Sequence, residues 1–231
     1  MRIVMTTHPR QPAYVHSAVR AMVESDSTVS NHDLWFCVDD LDGSYVSAYG
    51  RVRSLTKDEW QSQPRDPERR CTANLIRALV LAADSEGPAC MLCEDDVLCS
   101  SRWLQRAQNA VQVLHERESG RFLLALFSAY SRAAFKPHTL QSGTDALLCY
   151  ENQNDFYGNV CLVMPPGVAE EIAEWSQTTV GAKLVGDQLV KRYCALHGVQ
   201  IWVTDPSLVD HGGDVSSIYP KAQRRRAANF G

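Results

Sequence analysis

Short apolar segments alternate with segments of helical periodicity from one end of the chain to the other. This alternation constrains the fold most strongly, because it is typical of α/β domains in which helices cover a sheet. The chain has 231 residues, of which 45% are hydrophobic, so it is long enough to bury one substantial core. We therefore expect a single α/β domain over residues 1–220, followed by a basic, mobile tail over residues 221–231.

Short apolar runs bounded by turn-forming residues are predicted to be strands. They are Arg2–Thr7, Asp33–Val38, Ala89–Glu94, Phe122–Phe127, Asn159–Met164 and Ile201–Thr204. The helical segments between them have recognisable starts and stops, such as Asp66 followed by proline and the later Gly87-Pro88. The predicted helices are Pro12–Glu24, Asp66–Ser85, Ser101–Glu118, and one after each of Pro166 and Gly186.

The overall charge does not indicate a polyanionic partner. The formal net charge is -4 and the pI is about 6.0, so a nucleic acid would have to meet a local basic patch. No apolar stretch approaches a membrane span of about eighteen residues, and residues 1–10 lack the layout of a signal peptide. The eight cysteines lie in apolar segments, which favours reduced, buried thiols. We expect a cytoplasmic protein.

Three consecutive acids, Glu94, Asp95 and Asp96, follow a predicted buried strand. Ligands of open α/β sheets bind at the carboxyl ends of strands, and three adjacent carboxylates repel one another unless a cation or hydrogen-bond donors offset their charge. Hard oxygen ligands at this point favour Mg²⁺ or Mn²⁺. The alternative is a solvated acidic loop that caps a helix.

His211 is the candidate that would add an imidazole to such a site. It lies between acids and is followed by two glycines, which allow the backbone to approach a ligand closely. An imidazole beside carboxylates would favour Mn²⁺ over Mg²⁺. The alternative is a hydrogen-bonded or solvated loop histidine.

A polar stripe of Arg70, Asn74 and Arg77 runs along an otherwise apolar helix. Polar groups on a buried helix need partners, and the ribose, base or diphosphate of a nucleotide would supply them. An internal salt bridge from Arg77 to Asp95 or a neighbouring residue is the equal alternative.

Asp187 begins a predicted helix after Gly186, so it is either an ordinary helix cap or a catalytic carboxylate. Sugar transfer with inversion requires one carboxylate to accept the proton of the acceptor hydroxyl, because a metal-held diphosphate leaves without an acid. Asp187 is our candidate for this base. The basic run Lys221, Arg224, Arg225 and Arg226 either closes over a diphosphate, contacts a polyanionic acceptor, or is merely solvated.

Taken together, three groups of residues resemble the GT-A fold glycosyltransferases. The first is Thr6-Thr7 at the end of the first strand, and the second is Asn74 and Arg77 followed by Glu94-Asp95-Asp96-Val97, similar to the Glu-Asp-Asp form of the family's DxD motif. The third is a series that is similar to the N-acetylglucosaminyltransferase branch: Tyr157-Gly158-Asn159, Gly186-Asp187, Pro206-Ser207-Leu208, His211 and Ser216-Ser217.

The resemblance implies a single-domain, Rossmann-like mixed sheet flanked by helices, and a metal-dependent transfer from a UDP-sugar to an acceptor hydroxyl with inversion. Asp96 and His211 would bind Mn²⁺ or Mg²⁺, and Asp187 would be the base. Glu94 would contact the ribose or a metal-bound water. The residues implied to bind the nucleotide-sugar are Thr6, Thr7, Asn74, Arg77, Glu94, Asp95, Gly158 and Asn159.

Several alternatives remain open at this point. The acceptor is expected to be a saccharide, and the competing acceptor is a hydroxylated DNA base, as for a phage enzyme. A metal-dependent nucleotidyltransferase or phosphohydrolase would use similar acids, because a metal stabilises charge on any diphosphate. A protein that binds a nucleotide-sugar without turnover is the remaining possibility. The resemblance favours a bacterial or phage setting.

Overall fold

The computed structural model describes residues 1–9, 14–130, 134–212 and 226–231. Its centre is a nine-stranded mixed sheet in the order β3-β2-β1-β4-β9-β6-β10-β8-β7, and β11 and β5 form a separate two-stranded ribbon. The strands are β1 Arg2–Thr7, β2 Asp33–Val38, β3 Arg51–Arg53, β4 Cys90–Glu94, β5 Val97–Cys99, β6 Phe122–Ala125, β7 Phe135–Ser142, β8 Asp145–Tyr150, β9 Cys161–Met164, β10 Gln200–Asp205 and β11 Val209–His211.

Strand direction places one edge of the sheet where a site can form. Strands β1, β2 and β4 are parallel, as are β6 and β10, and β9 runs antiparallel between β4 and β6. The carboxyl ends of five strands and the start of β9 therefore meet at the same edge. Ligands of open α/β sheets bind at such an edge.

Helices cover both faces of the sheet, as the alternating sequence pattern predicts. They are α1 Tyr14–Ser25, α2 Lys57–Gln61, α3 Pro67–Ala83, α4 Trp103–Arg117, α5 Pro166–Trp175 and α6 Asp187–His197. The apolar sides of α1 and α4 pack on one face, and those of α3, α5 and α6 pack on the other. The predicted mixed sheet flanked by helices is confirmed.

The six predicted strands and five predicted helices occur within a few residues of their expected bounds. The predicted start of the first helix falls partly on residues 10–13, outside the described residues. Five further features were not predicted: β3, α2, β5, the β7–β8 hairpin and β11. These elements are short or, like β7, carry polar residues, so their pairing depends on neighbours that are distant in sequence.

Residues 226–231, the part of the predicted tail that the structure describes, pack against the body of the protein. The Ala227 amide donates to Asp210 Oδ1 at 2.8 Å, and the Ala228 amide donates to the Ser128 carbonyl at 2.9 Å. These bonds satisfy backbone groups that would otherwise be solvated. The rest of the basic run, Lys221, Arg224 and Arg225, lies outside the described residues, as do Ser216 and Ser217. Among the described residues, no helix is both long enough and apolar enough to cross a membrane.

A buried ion pair links α4, the β7–β8 hairpin and residues 226–231. Arg106 Nε lies 2.9 Å from Asp145 Oδ2, and its Nη2 lies 2.7 Å from Asp145 Oδ1. The same guanidinium donates to the Gly231 carbonyl at 2.7 Å. Because Asp145 is almost fully buried, removal of one partner leaves a charge that water cannot solvate well.

We expect Asp145→Ala to lower the free energy of unfolding by about 3 kcal/mol, because it leaves the Arg106 guanidinium without its carboxylate partner. Urea denaturation measures this change. The control is Arg121→Ala, which breaks the more exposed pair with Glu171 and should cost less than about 1 kcal/mol. Equal losses in the two variants would contradict the structural importance of the Arg106–Asp145 pair.

Candidate active site

The acidic triplet lies in a tight turn between two strands. Strand β4 ends at Glu94, Asp95 and Asp96 form the turn, and β5 begins at Val97. The turn is fixed to the sheet because the Glu94 amide donates to the Val160 carbonyl at 2.9 Å. Asp95 and Asp96 are buried, with Asp96 only 3% exposed. The turn is therefore not the solvated acidic loop that was the alternative interpretation.

Pairing of β11 with β5 brings His211 to this turn. His211 lies opposite Val97 in the register of the ribbon, and its Nδ1 is 3.6 Å from Asp96 Oδ1. The Gly212 amide donates to the Asp96 carbonyl. A Cβ at Gly212 would lie 2.9 Å from that carbonyl oxygen, so the close approach requires glycine. The pairing of these two short strands thus brings together residues that are more than a hundred positions apart in the sequence.

Glu94, Asp96 and His211 form a cluster that could hold a metal ion. Each offers one ligand atom, and these atoms all lie within 4.8 Å of one another. Two carboxylate oxygens and one imidazole nitrogen suit Mn²⁺ and also permit Mg²⁺. Crowded carboxylates at a buried position gain stability from a cation, so the donor set fits the predicted metal.

Asp95 has a different environment from the other two acids. Its Oδ2 accepts a hydrogen bond from Thr7 Oγ1 at 2.8 Å, and Thr7 Oγ1 lies 3.2 Å from the Tyr45 hydroxyl. Thr6 Oγ1 donates to the Cys93 carbonyl at 3.3 Å. The two threonines therefore tie the end of β1 to the acidic turn.

Asp39, which directly follows β2 and was not predicted to be a site residue, connects the polar stripe on α3 to the sheet. Arg70 Nε lies 2.7 Å from Asp39 Oδ2, Arg77 Nη2 lies 2.9 Å from Oδ1, and Gln63 Nε2 donates to Oδ1 at 2.7 Å. The ion pair of Arg77 is with Asp39 and not with Asp95. The position of Asp39 directly after β2, at the ligand-binding edge, was the signal that could have identified it.

Asn74 is buried and holds the end of β2 to α3. Its Nδ2 donates to the Cys37 carbonyl at 3.3 Å, and its Oδ1 accepts from Arg77 Nη2 at 3.1 Å. Asn74 and Arg77 are therefore part of one network with Asp39. Two guanidinium groups and one carboxylate give this network a net positive charge next to the acidic turn.

Asp187 is the first residue of α6 and is turned toward the start of β9. Its Oδ2 accepts the Gly158 amide at 2.8 Å, and the Asn159 backbone also contributes a hydrogen bond. Burial raises the pKa of Asp187 above its ordinary value of 3.8, while these amides and the charges of Lys191 and His211 oppose the increase. The carboxylate is thus preferentially protonated relative to an exposed one, and it lies within electrostatic range of His211.

Gly158 allows close packing between Asp187 and the metal cluster. Its φ is +107°, and a Cβ there would lie 3.1 Å from Phe127 Cε1. The Phe127 ring in turn meets the His211 ring edge-on, with 5.2 Å between centroids. Next in sequence, Asn159 Oδ1 is buried and has no hydrogen-bond partner within the described part of the chain. A buried amide oxygen without a partner is stabilised when a ligand supplies a hydrogen-bond donor.

The predicted site residues therefore fall into three neighbouring groups at one edge of the sheet. Glu94, Asp96 and His211 form the metal cluster. Thr7 with Asp95, and Arg77 with Asn74 and Asp39, line the ends of β1 and β2. Gly158, Asn159 and Asp187 lie at the start of β9. Their roles remain predictions.

Comparisons with known proteins agree with the architecture. A scan against protein-family models finds no match, and a search of curated proteins finds none. The structure is similar to TarS 1–349 of S. aureus in complex with UDP-GlcNAc, with 10% identity, a TM-score of 0.51, and coverage of 87% of this chain and 55% of that chain. A second structure of TarS 1–349 has 12% identity and a TM-score of 0.50, and the match covers 87% of this chain and 57% of that chain.

The galactosyltransferase LgtC in complex with donor and acceptor sugar analogs gives 13% identity and a TM-score of 0.48, with 87% of this chain and 73% of that chain covered. The chain spans a little over half the length of the TarS structures. Together with the strand order, the two TarS similarities show that the chain has the GT-A fold found in glycosyltransferases. At such identities the similarity shows the fold alone.

We expect Mn²⁺ to raise the melting temperature of the unmodified protein and not that of Asp96→Ala. At a hundredfold excess over Kd the metal contributes about 2.7 kcal/mol, or about 5–10 °C for a chain of this size. Without metal, Asp96→Ala should be at least as stable as the unmodified protein, because it removes one of three repelling acids. Differential scanning calorimetry with and without Mn²⁺ measures both effects.

The matched control for this experiment is Asp84→Ala, which removes an exposed acid at the end of α3 and should keep the full Mn²⁺ shift. A full shift in Asp96→Ala would show that Asp96 does not bind the metal. A strongly destabilised Asp96→Ala would show that the acid is structural.

Proposed function

We propose that the protein is a metal-dependent glycosyltransferase that moves a sugar from a UDP-sugar to an acceptor hydroxyl with inversion. The observation that carries this proposal is the cluster of Glu94, Asp96 and His211 beside Asp187, at the ligand-binding edge of a GT-A fold. The UDP-GlcNAc bound to the TarS neighbour supports a nucleotide-sugar donor. The acceptor is a saccharide.

In this proposal Glu94, Asp96 and His211 hold Mn²⁺ or Mg²⁺. When bound, the cation neutralises the diphosphate and stabilises the charge that develops on the leaving group. The carboxylates of Glu94 and Asp96 fix its position because the turn is hydrogen-bonded to the sheet. Within the same proposal, the alternative role of Glu94 is a contact with the ribose of the donor, which would leave Asp96 and His211 to hold the cation.

The nucleotide lies between the ends of β1 and β2. Thr6, Thr7 and Asp95 supply hydroxyl and carboxylate groups for the base and ribose. Arg77, oriented by Asn74 and Asp39, faces the diphosphate. Because Arg70 and Arg77 together exceed the charge of Asp39, the network keeps a net positive charge with which to attract an anion.

Asp187 removes the proton from the acceptor hydroxyl. The acceptor oxygen then bonds to the anomeric carbon while the bond from that carbon to the diphosphate breaks, and UDP leaves with the electron pair. A single displacement inverts the anomeric centre. Burial suits Asp187 to this step, because a raised pKa makes a carboxylate a stronger base. Gly158 and Asn159 hold it in place through their amides.

The first test is a screen of UDP-sugars by thermal shift and by release of UDP. Mn²⁺ together with the correct UDP-sugar should raise the melting temperature more than either alone, because a cation held by the acidic cluster would neutralise the diphosphate. Equal shifts in Mn²⁺ and in EDTA would contradict metal-dependent donor binding. Release of pyrophosphate would indicate a nucleotidyltransferase, and binding without turnover would indicate a non-catalytic binder.

We expect Asp187→Asn to lower kcat by a factor of about 10² to 10⁴, because it removes the general base. Donor binding, measured by calorimetry with Mn²⁺ present, should change little. The control is Glu170→Gln, an exposed acid on α5, which should retain full activity. Full activity in Asp187→Asn would exclude Asp187 as the base, and Asp155 and Glu151 would be the next candidates.

The same variant has a predicted stability profile. The pKa of Asp187 is raised in the folded state, so the protonated side chain stabilises the fold. This contribution is fully present below the ordinary pKa of 3.8 and is lost as the pH rises through the higher folded-state pKa. Asp187→Asn removes this loss. We therefore expect the variant to be at least as stable as the unmodified protein at pH 7, and urea denaturation at pH 4 and pH 7 checks this.

A further inference from the structure

Thr72, on helix α3, makes a hydrogen bond to the segment that carries the candidate base. The Gly186 amide donates to Thr72 Oγ1 at 2.8 Å, although the two residues are 114 positions apart in the sequence. Gly186 directly precedes Asp187 at the start of α6. The bond therefore connects the helix of the polar stripe to the peptide next to the proposed base.

The Thr72 hydroxyl has a defined orientation. Its proton is donated to the Glu68 carbonyl, one turn earlier in α3, at 2.8 Å. Because a hydroxyl has one proton, its oxygen is left to accept the Gly186 amide. The two bonds run in one direction from amide to hydroxyl to carbonyl, so each polarises the other. The side chain is buried, so water competes poorly for either bond.

Gly186 has a backbone conformation that other residues rarely adopt. Its φ is +49° and its ψ is −125°. Apart from its chain neighbours, a Cβ there would meet no atom of the described residues within 4 Å. Glycine is therefore required by the backbone conformation and not by a lack of space. Because glycine populates several conformations with similar ease, the one that begins α6 is stabilised by a contact such as the Thr72 hydroxyl.

Two sets of bonds then determine where the Asp187 carboxylate lies. Its Oδ2 accepts the Gly158 amide at 2.8 Å, and the Asn159 amide also donates to the carboxylate. These bonds hold the side chain, whereas the Thr72 bond holds the peptide from which the side chain extends. Loss of the Thr72 hydroxyl would therefore allow the carboxylate to move without removing it.

Thr72 lies on α3 between the two arginines that bind Asp39. Arg70 Nε, two residues earlier, is 2.7 Å from Asp39 Oδ2. Arg77 Nη2, five residues later, is 2.9 Å from Asp39 Oδ1. One helix thus holds both the arginine that is proposed to face the diphosphate and the peptide that precedes the proposed base. A shift between the donor and the base is restricted by this shared support.

We propose that Thr72 is a positioning residue that holds Asp187 at the distance and angle needed for proton removal, a role that rests on the proposed glycosyltransferase function. Thr72 acts through the Gly186 peptide. Removal of its hydroxyl should therefore slow the transfer step and leave donor binding unchanged.

The first test is Thr72→Val, which keeps the shape of the side chain and removes the hydroxyl. UDP release is measured with the UDP-sugar found in the donor screen and a saccharide acceptor, well below the melting temperature of each variant. We expect kcat to fall by about ten- to a hundredfold, because a small misplacement of a catalytic group costs about that much. The Kd for UDP with Mn²⁺, measured by calorimetry, should change by less than about twofold.

Thr72→Ser is the conservative variant, because it keeps the hydroxyl and loses only a methyl group. It should retain about half or more of the kcat of the unmodified protein. Thr72→Ala removes the hydroxyl with a smaller side chain and replaces Thr72→Val in the test if that variant does not fold.

A double-mutant cycle separates positioning from a general loss of structure. If Thr72 acts through Asp187, adding Thr72→Val to Asp187→Asn should lower kcat by less than about twofold further, because the group that it positions is already absent. An effect on the whole site would instead lower kcat by the same factor in both backgrounds.

The matched control is Thr178→Val, which removes a hydroxyl that makes the same pair of bonds. Thr178 Oγ1 donates to the Trp175 carbonyl at 2.8 Å and accepts the Gly181 amide at 3.1 Å. Thr178 lines a groove with His197, which is ten residues after Asp187 and about 15 Å further along α6. This variant should leave kcat and KM unchanged.

Full kcat in Thr72→Val would overturn the positioning role and leave the glycosyltransferase function intact. Equal losses in the unmodified and Asp187→Asn backgrounds would overturn it as well, as would a loss in Thr72→Ser as large as that in Thr72→Val. If the unmodified protein turns over no UDP-sugar, the proposed function itself fails.

Discussion

Electrostatic repulsion among three neighbouring carboxylates is the constraint on which the candidate site depends. Glu94, Asp95 and Asp96 follow one another at the end of a buried strand, where water screens their charges poorly. The structure meets this constraint in two ways. Asp95 is bound by the hydroxyl of Thr7, whereas Asp96 is placed beside His211 and Glu94 in an arrangement that a cation would complete. Asp95 and Asp96 are consecutive in one turn, yet the first is held by a hydroxyl and the second lies where a cation could bind.

Positive charge on the neighbouring strand complements this arrangement. Asp39 holds Arg70 and Arg77 at the end of β2, so cationic groups face the same edge of the sheet as the acidic turn. Their guanidinium groups are restrained before any ligand arrives, which lowers the entropy lost on binding an anion. The proposed donor site is therefore preorganised by the ion pairs of Asp39, which do not include Glu94, Asp96 or His211.

Much of the architecture could be predicted from the sequence, because apolar periodicity identifies buried strands and amphipathic helices. The hairpin of β7 and β8 and the β11–β5 ribbon could not, since their stability comes from pairing with distant partners. The same limit applies to the site. Asp96, His211 and Asp187 were found through local motifs, whereas Asp39 was missed because its importance comes from two arginines on a helix about thirty or more residues later.

The antiparallel strand β9 determines how far Asp187 lies from the acidic turn. It pairs directly with β4, with Cys161 opposite Cys93, so the loop whose Gly158 amide binds Asp187 leads into a strand about 4.8 Å from the one that ends in the acidic turn. Reacting atoms must approach within about 3–3.5 Å, and a register slip of one residue moves a strand by about 3.3 Å. The register of these two core strands therefore sets how the proposed base and the proposed metal site face each other. A core substitution that shifted this register would change the distance between them without replacing either group.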